Sequence, residues 1–319
     1  QDEINGILTR AMKQTDRYRG MKKAGASEKE IREAFNTPVD MQVFTYDDTG
    51  LKDTTMSPMD SIRWLKNYLR CGFMSMDPHT GYVKAYVGGP NFAHFQYDMA
   101  TMGRRQVGST VKPYLYTLAM DEGMWPCDKV VNDSITLYDA NGRPWTPRDT
   151  HAKNRGEIVT LNWGLQNSSN WITAYLMSLY TPEQLVRIMQ SFGIQGQLDP
   201  VISLCLGPCE VSVQEMVDAY TTFANKGIRT EPLYVTRIED NNGNVIASFI
   251  PKTHEVISES TAYKMIYMLR NVVDHGTGVR VRYKYGIKAP MQNGYYQQQL
   301  RRVVYGFHSL TRKRRMGRR

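Results

Sequence analysis

Short stretches with helical spacing dominate the first seventy residues, which are otherwise polar. Ser27-Glu28-Lys29-Glu30 followed by Ile31 and Phe35 predicts a helix opened by a capping box. Thr37-Pro38 ends it, because the residue before a proline is pushed out of the helical region. Residues 41–46 alternate as a strand does, and Asp47-Asp48-Thr49-Gly50 supplies a turn. The texture changes near Cys71. Residues 72–76 and 82–87 flank Asp77-Pro78-His79-Thr80-Gly81, which is a hairpin pattern. Residues 113–120 are apolar and tyrosine-rich on all sides, the pattern of a buried helix, and residues 124–160 are mostly turns and short strands.

Residues 162–179 read as one long helix with Trp163, Trp171, Ile172, Tyr175 and Leu176 on its apolar side. Thr181-Pro182-Glu183-Gln184 caps the next helix and Phe192-Gly193 ends it. A further helix over 212–224 closes at Asn225-Lys226-Gly227. Residues 233–238 and 245–249 flank a hairpin turn at Asp240-Asn241-Asn242-Gly243, and 258–273 form a last amphipathic helix. Gly276-Thr277-Gly278 then leads into a basic strand. A hairpin, many helices and strands again predict an α/β fold of the α+β type, a mixed sheet covered by helices. The chain divides into a linker or accessory region at 1–70, a main domain at 71–291 and a basic tail at 292–319 that is expected to be disordered.

The 319 residues, 41% of them apolar, are enough for a sizeable core. No run is long and apolar enough to span a membrane, and Gln1-Asp2-Glu3-Ile4 does not begin a signal peptide, so the chain reads as a fragment or a processed form. The net charge of +9 is very uneven: the tail from Gln292 to Arg319 has seven Arg, one Lys and no acidic residue. The main domain is therefore close to neutral, and the basic pI gives no reason to expect a nucleic-acid partner for it. Cys71, Cys127, Cys205 and Cys209 show neither zinc-ligand spacing nor a disulfide framework; they are expected to be mostly buried thiols, with one local pair open.

Two motifs carry chemistry. In Gly108-Ser109-Thr110-Val111-Lys112-Pro113 the Ser and Lys are three apart at a helix start, so both side chains share a face. A serine hydroxyl needs a base to become a nucleophile, and a desolvated lysine with a lowered pKa can be that base. The helix N-terminus adds backbone N–H groups near a developing oxyanion. Alone, this pattern is equally a helix cap. The second motif, Asn167-Ser168-Ser169-Asn170, places Ser168 59 residues after Ser109. Ser168 offers a hydroxyl that relays a proton, and Asn170 an amide that holds a carbonyl. Alone, it is a polar helical turn.

Together, and with their flanks, these motifs resemble the class A penicillin-binding proteins, the bifunctional peptidoglycan synthases. The resemblance rests on Arg105-Gln106-Val107-Gly108-Ser109-Thr110-Val111-Lys112-Pro113 and on the hairpin from Asp77 to Gly89. Gly156–Leu161, Leu206-Gly207 and Ala224-Asn225-Lys226-Gly227 extend it, so that it covers 71–291 well and 1–70 more weakly. It implies the penicillin-binding, serine β-lactamase-like transpeptidase fold and D,D-transpeptidation. Ser109 is then the nucleophile on the D-alanyl-D-alanine carbonyl of a peptidoglycan stem peptide, Lys112 its base, Ser168 the proton relay and Asn170 the substrate-binding amide. β-Lactams would acylate Ser109. No cofactor and no metal are implied. A glycosyltransferase domain and a membrane anchor would precede Gln1 in the parent protein, placing this part on the periplasmic face of the inner membrane. The alternatives are a serine β-lactamase-like hydrolase and a non-catalytic penicillin- or peptidoglycan-binding module. Arg148-Asp149 departs from the family, which more often has Asn after Pro147, and this leaves the role of that loop open.

The family's third motif, K-T-G on a strand, is missing, leaving the fold incomplete at its C-terminus. Gly286-Ile287-Lys288-Ala289-Pro290-Met291 is its expected lead-in, but Gln292-Asn293-Gly294-Tyr295 follows; Lys252-Thr253-His254 lacks the Gly and comes too early. Back-translated with suitable synonymous codons and shifted by one nucleotide, the sequence from Gln292 encodes KTGTTNNNSDGWFMGF, and the shift holds to Arg319. A frameshift near Met291 accounts for the Arg-rich tail without giving it a function; a polyanion-binding arm is the rival. Nucleotide sequencing across Met291 is expected to reveal the displaced K-T-G, and a clean read without one would end the frameshift account.

Overall fold

The computed structural model describes residues 2–47, 50–149, 152–285, 291–295 and 302–306. The chain separates into two compact units, 1–71 with 90–96 and 72–89 with 97–319.

The first unit holds α1 (Asp2–Lys13), α2 (Asp16–Lys23), α3 (Glu28–Asn36), the antiparallel pair β1 (Val39–Phe44) and β2 (Leu51–Met56), and α4 (Pro58–Asn67). The capping box at α3 is complete in both directions, between Ser27 and Glu30. Ile31 and Phe35 are buried with Leu8, Met12 and Ile62, so the helical spacing read from the sequence is the spacing of a small core.

In the second unit β3 (Phe73–Met76) and β4 (Val83–Val87) form the predicted hairpin. Then follow β5 (Arg104–Gln106), a 3-10 turn at Gly108–Val111, α5 (Lys112–Asp121), β6 (Lys129–Val131), β7 (Leu137–Tyr138), β8 (Pro144–Trp145) and β9 (Ile158–Thr160). Helices α6 (Leu161–Gln166), α7 (Asn170–Leu179) and α8 (Pro182–Ser191) lead to β10 (Glu210–Ser212) and α9 (Val213–Ala224). The last elements are β11 (Ile228–Thr230), β12 (Arg237–Glu239), β13 (Val245–Ser248), β14 (Thr253–Glu255), α10 (Glu259–Asp274), α11 (Val279–Tyr285), β15 (Met291–Tyr295) and β16 (Arg302–Gly306).

Helix α5 is the axis of this unit. Tyr114, Leu115, Tyr116, Thr117, Ala119 and Met120 are all buried, which is why its sequence is apolar all round. It packs against α6, α7, α8 and α10. Tyr114 meets Phe192 and Tyr220 edge-on, at ring-centroid distances of 5.2 and 6.1 Å.

Two expectations change. The single helix over 162–179 is two helices, α6 and α7, broken at the polar motif. The four-residue run Asn167-Ser168-Ser169-Asn170 favours caps over helix interior: Asn167 closes α6, Ser168 turns through φ 54°, and Ser169 opens α7 by accepting the Ile172 N–H. The basic strand after Gly278 is helix α11. Its alternating sequence is overridden by tertiary contacts, Arg282 pairing with Asp274 and Val281 packing on Val273. Among the described residues the strands pair as eight antiparallel two-stranded ladders, and Tyr82–Leu233 forms an isolated parallel bridge outside them. Of the tail, the described residues pair β15 with β16 from Met291–Gly306 to Tyr295–Arg302, a segment whose Val303-Val304-Tyr305 has strong strand propensity. The lead-in 286–290 and the remainder of the tail lie outside the described residues.

Phe223 is fully buried between Phe192 (5.1 Å) and Tyr220 (5.8 Å). Phe223→Ala is expected to lower unfolding free energy by roughly 3–5 kcal/mol. Tyr263→Ala, at a position 73% exposed, is expected to stay within about 0.5 kcal/mol of the unmutated chain. Urea denaturation checks both, and similar losses at the two positions would contradict this packing.

Candidate functional site

Ser109 sits half-buried in the 3-10 turn that runs directly into α5, and the Lys112 N–H donates to the Ser109 carbonyl. The turn is held from three sides. Ahead of it, β5 pairs with β10, and Arg104 grips Glu215 at the start of α9 through two bonds of 2.9 and 3.1 Å. Beneath it, the Tyr220 hydroxyl donates to the Thr110 carbonyl at 2.9 Å. Alongside it, the Gly108 N–H donates to the Gly207 carbonyl at 3.0 Å. Gly207 has φ 77°, and a β-carbon there would stand 2.0 Å from the Gly108 carbonyl oxygen, so only glycine permits this approach.

Lys112, the first residue of α5, has no exposed surface. Its Nζ donates to the Ser168 carbonyl (2.6 Å), to Ser168 Oγ (3.1 Å) and to Asn170 Oδ1 (2.7 Å). Three of the four residues singled out from the sequence thus meet at one nitrogen, and Ser109 lies one turn away on the same segment. Asn170 Nδ2 donates to the Arg148 carbonyl at 2.7 Å, which fixes the amide with its oxygen toward the lysine. Ser168 adopts the left-handed conformation with φ 54°, uncommon for a non-glycine residue and a feature that clusters at functional turns.

The electrostatics follow from burial. Desolvation lowers the Lys112 pKa from 10.5 to about 7, against the opposing pull of Asp149 and Cys205. Near neutral pH the amine is therefore divided between its charged and neutral forms, as a general base requires. As an ammonium it has three donors for its three acceptors; on losing a proton it keeps two donors and gains a lone pair. The Cys205 thiol, buried beside it, is pushed up to about 12 and stays neutral.

Two contributors were not singled out in the sequence. Asp149, in the loop of open role, accepts from Ser169 Oγ (2.6 Å), Asn170 N–H (2.6 Å) and Trp171 N–H (3.0 Å) through one oxygen, Oδ2. Cys205 lies in the 3-10 turn Ile202–Leu206, packed against the Ser109 turn and α7. Neither has a local sequence signal, because both act across the fold. Of the four cysteines, all free thiols, only Cys205 and Cys209 are buried, whereas Cys71 and Cys127 are exposed. No group of His, Cys, Asp and Glu among the described residues is arranged to hold a metal ion.

Comparison with known proteins gives the family of the chain. Residues 71–304 match the model of the penicillin binding protein transpeptidase domain, and residues 1–69 match the penicillin-binding protein middle domain. The chain belongs to the penicillin-binding protein transpeptidase family. Penicillin-binding protein 1A of Aquifex aeolicus is 33% identical over 213 residues, 66% of this chain and 29% of that protein. Penicillin-binding protein 2D of Bacillus subtilis is 30% identical over 207 residues, covering 65% and 30%. The chain thus spans less than a third of the length of these curated relatives. Among solved structures, penicillin-binding protein 1A of Haemophilus influenzae superposes with a TM-score of 0.65 at 20% identity, covering 79% of this chain and 42% of that one. The D,D-transpeptidase domain of an Eggerthella lenta peptidoglycan glycosyltransferase gives 0.63 at 20% identity, covering 76% and 70%. The penicillin-binding transpeptidase fold expected from the sequence is therefore the fold of this chain. No helix among the described residues is long and apolar enough to cross a membrane.

The lowered Lys112 pKa makes a stability prediction. Between pH 7 and 10.5 the unfolded chain holds a proton that the folded chain has lost. The burial penalty is therefore complete below pH 7 and disappears as pH rises toward 10.5, so stability gains up to about 1.4 kcal/mol per pH unit from this residue. Urea denaturation at pH 7, 8 and 9 is expected to show the unmutated chain gaining on Lys112→Met as pH rises. A difference that does not change with pH would contradict the shift.

Proposed function

We propose that this chain is the acyl-transfer part of a class A peptidoglycan synthase, built for D,D-transpeptidation and, as written, nearly inactive. The observation that carries the reading is the buried Lys112 amine bonded to Ser168 Oγ and Asn170 Oδ1. It supplies a base near neutrality, a relay hydroxyl and a substrate amide in one place.

The steps follow. Neutral Lys112 takes the Ser109 proton while Ser109 Oγ attacks the carbonyl between the terminal D-alanines of a stem peptide. The tetrahedral oxyanion forms at the start of α5, where backbone N–H groups and the helix dipole favour negative charge. Ser168 passes a proton to the departing amine, the C–N bond breaks, and D-alanine leaves an ester on Ser109. The amine of a second stem peptide attacks that ester, the C–O bond to Ser109 breaks, the amine's proton returns through the same groups to Ser109 Oγ, and the new amide is the cross-link. Asn170 holds the substrate backbone throughout. β-Lactams imitate the dipeptide and leave Ser109 acylated. The parent protein would add a glycosyltransferase domain and a membrane anchor ahead of Gln1, with this part on the periplasmic side.

β15 lies beside the Ser109 turn and α10. Its sequence is Gln292-Asn293-Gly294, without the lysine and threonine of K-T-G. The deficit on this strand is thus one of side-chain chemistry: it lacks the lysine ammonium and the threonine hydroxyl of that motif. Interactions of this kind change rates by roughly a hundredfold or more.

Fluorescent penicillin labelling tests this reading. The protein with its reading frame restored is expected to form an ester on Ser109, found by peptide mass spectrometry and lost in Ser109→Ala and Lys112→Ala. The chain as written is expected to label at least about a hundredfold more slowly. Equal labelling of the two would refute the inactivity, and labelling elsewhere than Ser109 would refute the assignment.

A further inference from the structure

We infer that Asp149 is the positioning residue of this site: its carboxylate clamps the first turn of α7, so fixing Ser168 and Asn170 opposite the buried Lys112 amine and setting its own charge one residue, Asn170, away from it. The inference rests on the transpeptidase reading and adds to it a residue that the two motifs do not contain.

The geometry is that of a helix cap supplied from outside the helix. A single oxygen, Oδ2, accepts the Asn170 and Trp171 backbone N–H groups and the Ser169 hydroxyl. Those N–H groups are donors that a helix start leaves unpaired, and an anion there also meets the positive end of the helix dipole. The same loop takes two further contacts: the Arg148 carbonyl accepts from Asn170 Nδ2, and the Pro147 carbonyl accepts from Trp171 Nε1 at 3.1 Å. Residues 147–149 thus set both the backbone and the amide orientation of the second motif. Ser168, at φ 54°, is held between the end of α6 and this clamp.

The carboxylate does more than cap. Lys112 is buried, its hydrogen bonds run to the neutral oxygens of Ser168 and Asn170, and the titratable groups acting on it are Asp149 and Cys205. Cys205 is a neutral thiol over the physiological range, so Asp149 is the anion that balances the ammonium form. An Asn at this position keeps an oxygen for the clamp and loses the charge. An Ala loses both. The two substitutions therefore separate positioning from charge.

The test uses the full chain and needs no acylation, so it stands whether or not the protein reacts with penicillin. Lys112 is titrated by 13Cε NMR, its signal identified by its disappearance in Lys112→Arg, and amide hydrogen exchange is followed over residues 168–172. Asp149→Asn is expected to move the Lys112 midpoint down by about one pH unit while leaving the exchange of Asn170 and Trp171 near its original rate. Asp149→Ala is expected to show the same downward shift and to speed exchange at both amides by roughly tenfold. An unchanged midpoint in Asp149→Asn overturns the charge role, and unchanged exchange in Asp149→Ala overturns the clamp; either result overturns the proposal. Should the alanine variant fail to fold, the asparagine variant decides alone, on its midpoint and on whether its amides remain protected.

Discussion

The site depends on one buried amine. Leaving Lys112 with no exposed surface is unfavourable for its charged form, and that penalty brings its pKa down to about 7. The three oxygens around it, two from Ser168 and one from Asn170, keep the penalty from becoming prohibitive. Had the amine reached solvent, nothing would bring its pKa down toward neutrality. Had it been buried without these acceptors, an unsatisfied polar group would weigh on folding.

The surrounding fold serves this arrangement. Helix α5 is buried on nearly all sides, so the lysine at its first turn has nowhere to snorkel. Arg104, Tyr220 and Gly207 hold the Ser109 turn from separate elements. The break between α6 and α7 turns a stretch of helix-forming sequence into a corner that points Ser168 and Asn170 at α5. Precision here comes from several elements each fixing one degree of freedom, as preorganised sites require.

Much of this was legible in the sequence. The caps at Ser27 and Thr181, the hairpin around Asp77, and the closure of α9 at Asn225 are written in residues a few positions apart, and all stand in the structure. The four site residues were legible as two motifs. What could not be read was long-range. Nothing near Asp149 signals that it caps a helix beginning 21 residues later, since the relation exists only once the loop and α7 meet. The break at Ser168 was hidden because Trp163, Trp171 and Tyr175 keep helical spacing across it. Helix α11 was misread as a strand because alternation in Val279-Arg280-Val281-Arg282 is local, while the contacts to Val273 and Asp274 that decide it are not.

The Lys112–Asn170 bond, at 2.7 Å, is the link on which the account turns. A double-mutant cycle of Lys112→Met and Asn170→Leu, read as unfolding free energy at pH 6 where the amine is charged, measures it directly. A coupling of about 1.5–3 kcal/mol is predicted, the range of a hydrogen bond to a charged group. Additive effects of the two substitutions, with no coupling beyond error, would contradict the placement of these side chains and the site built on it.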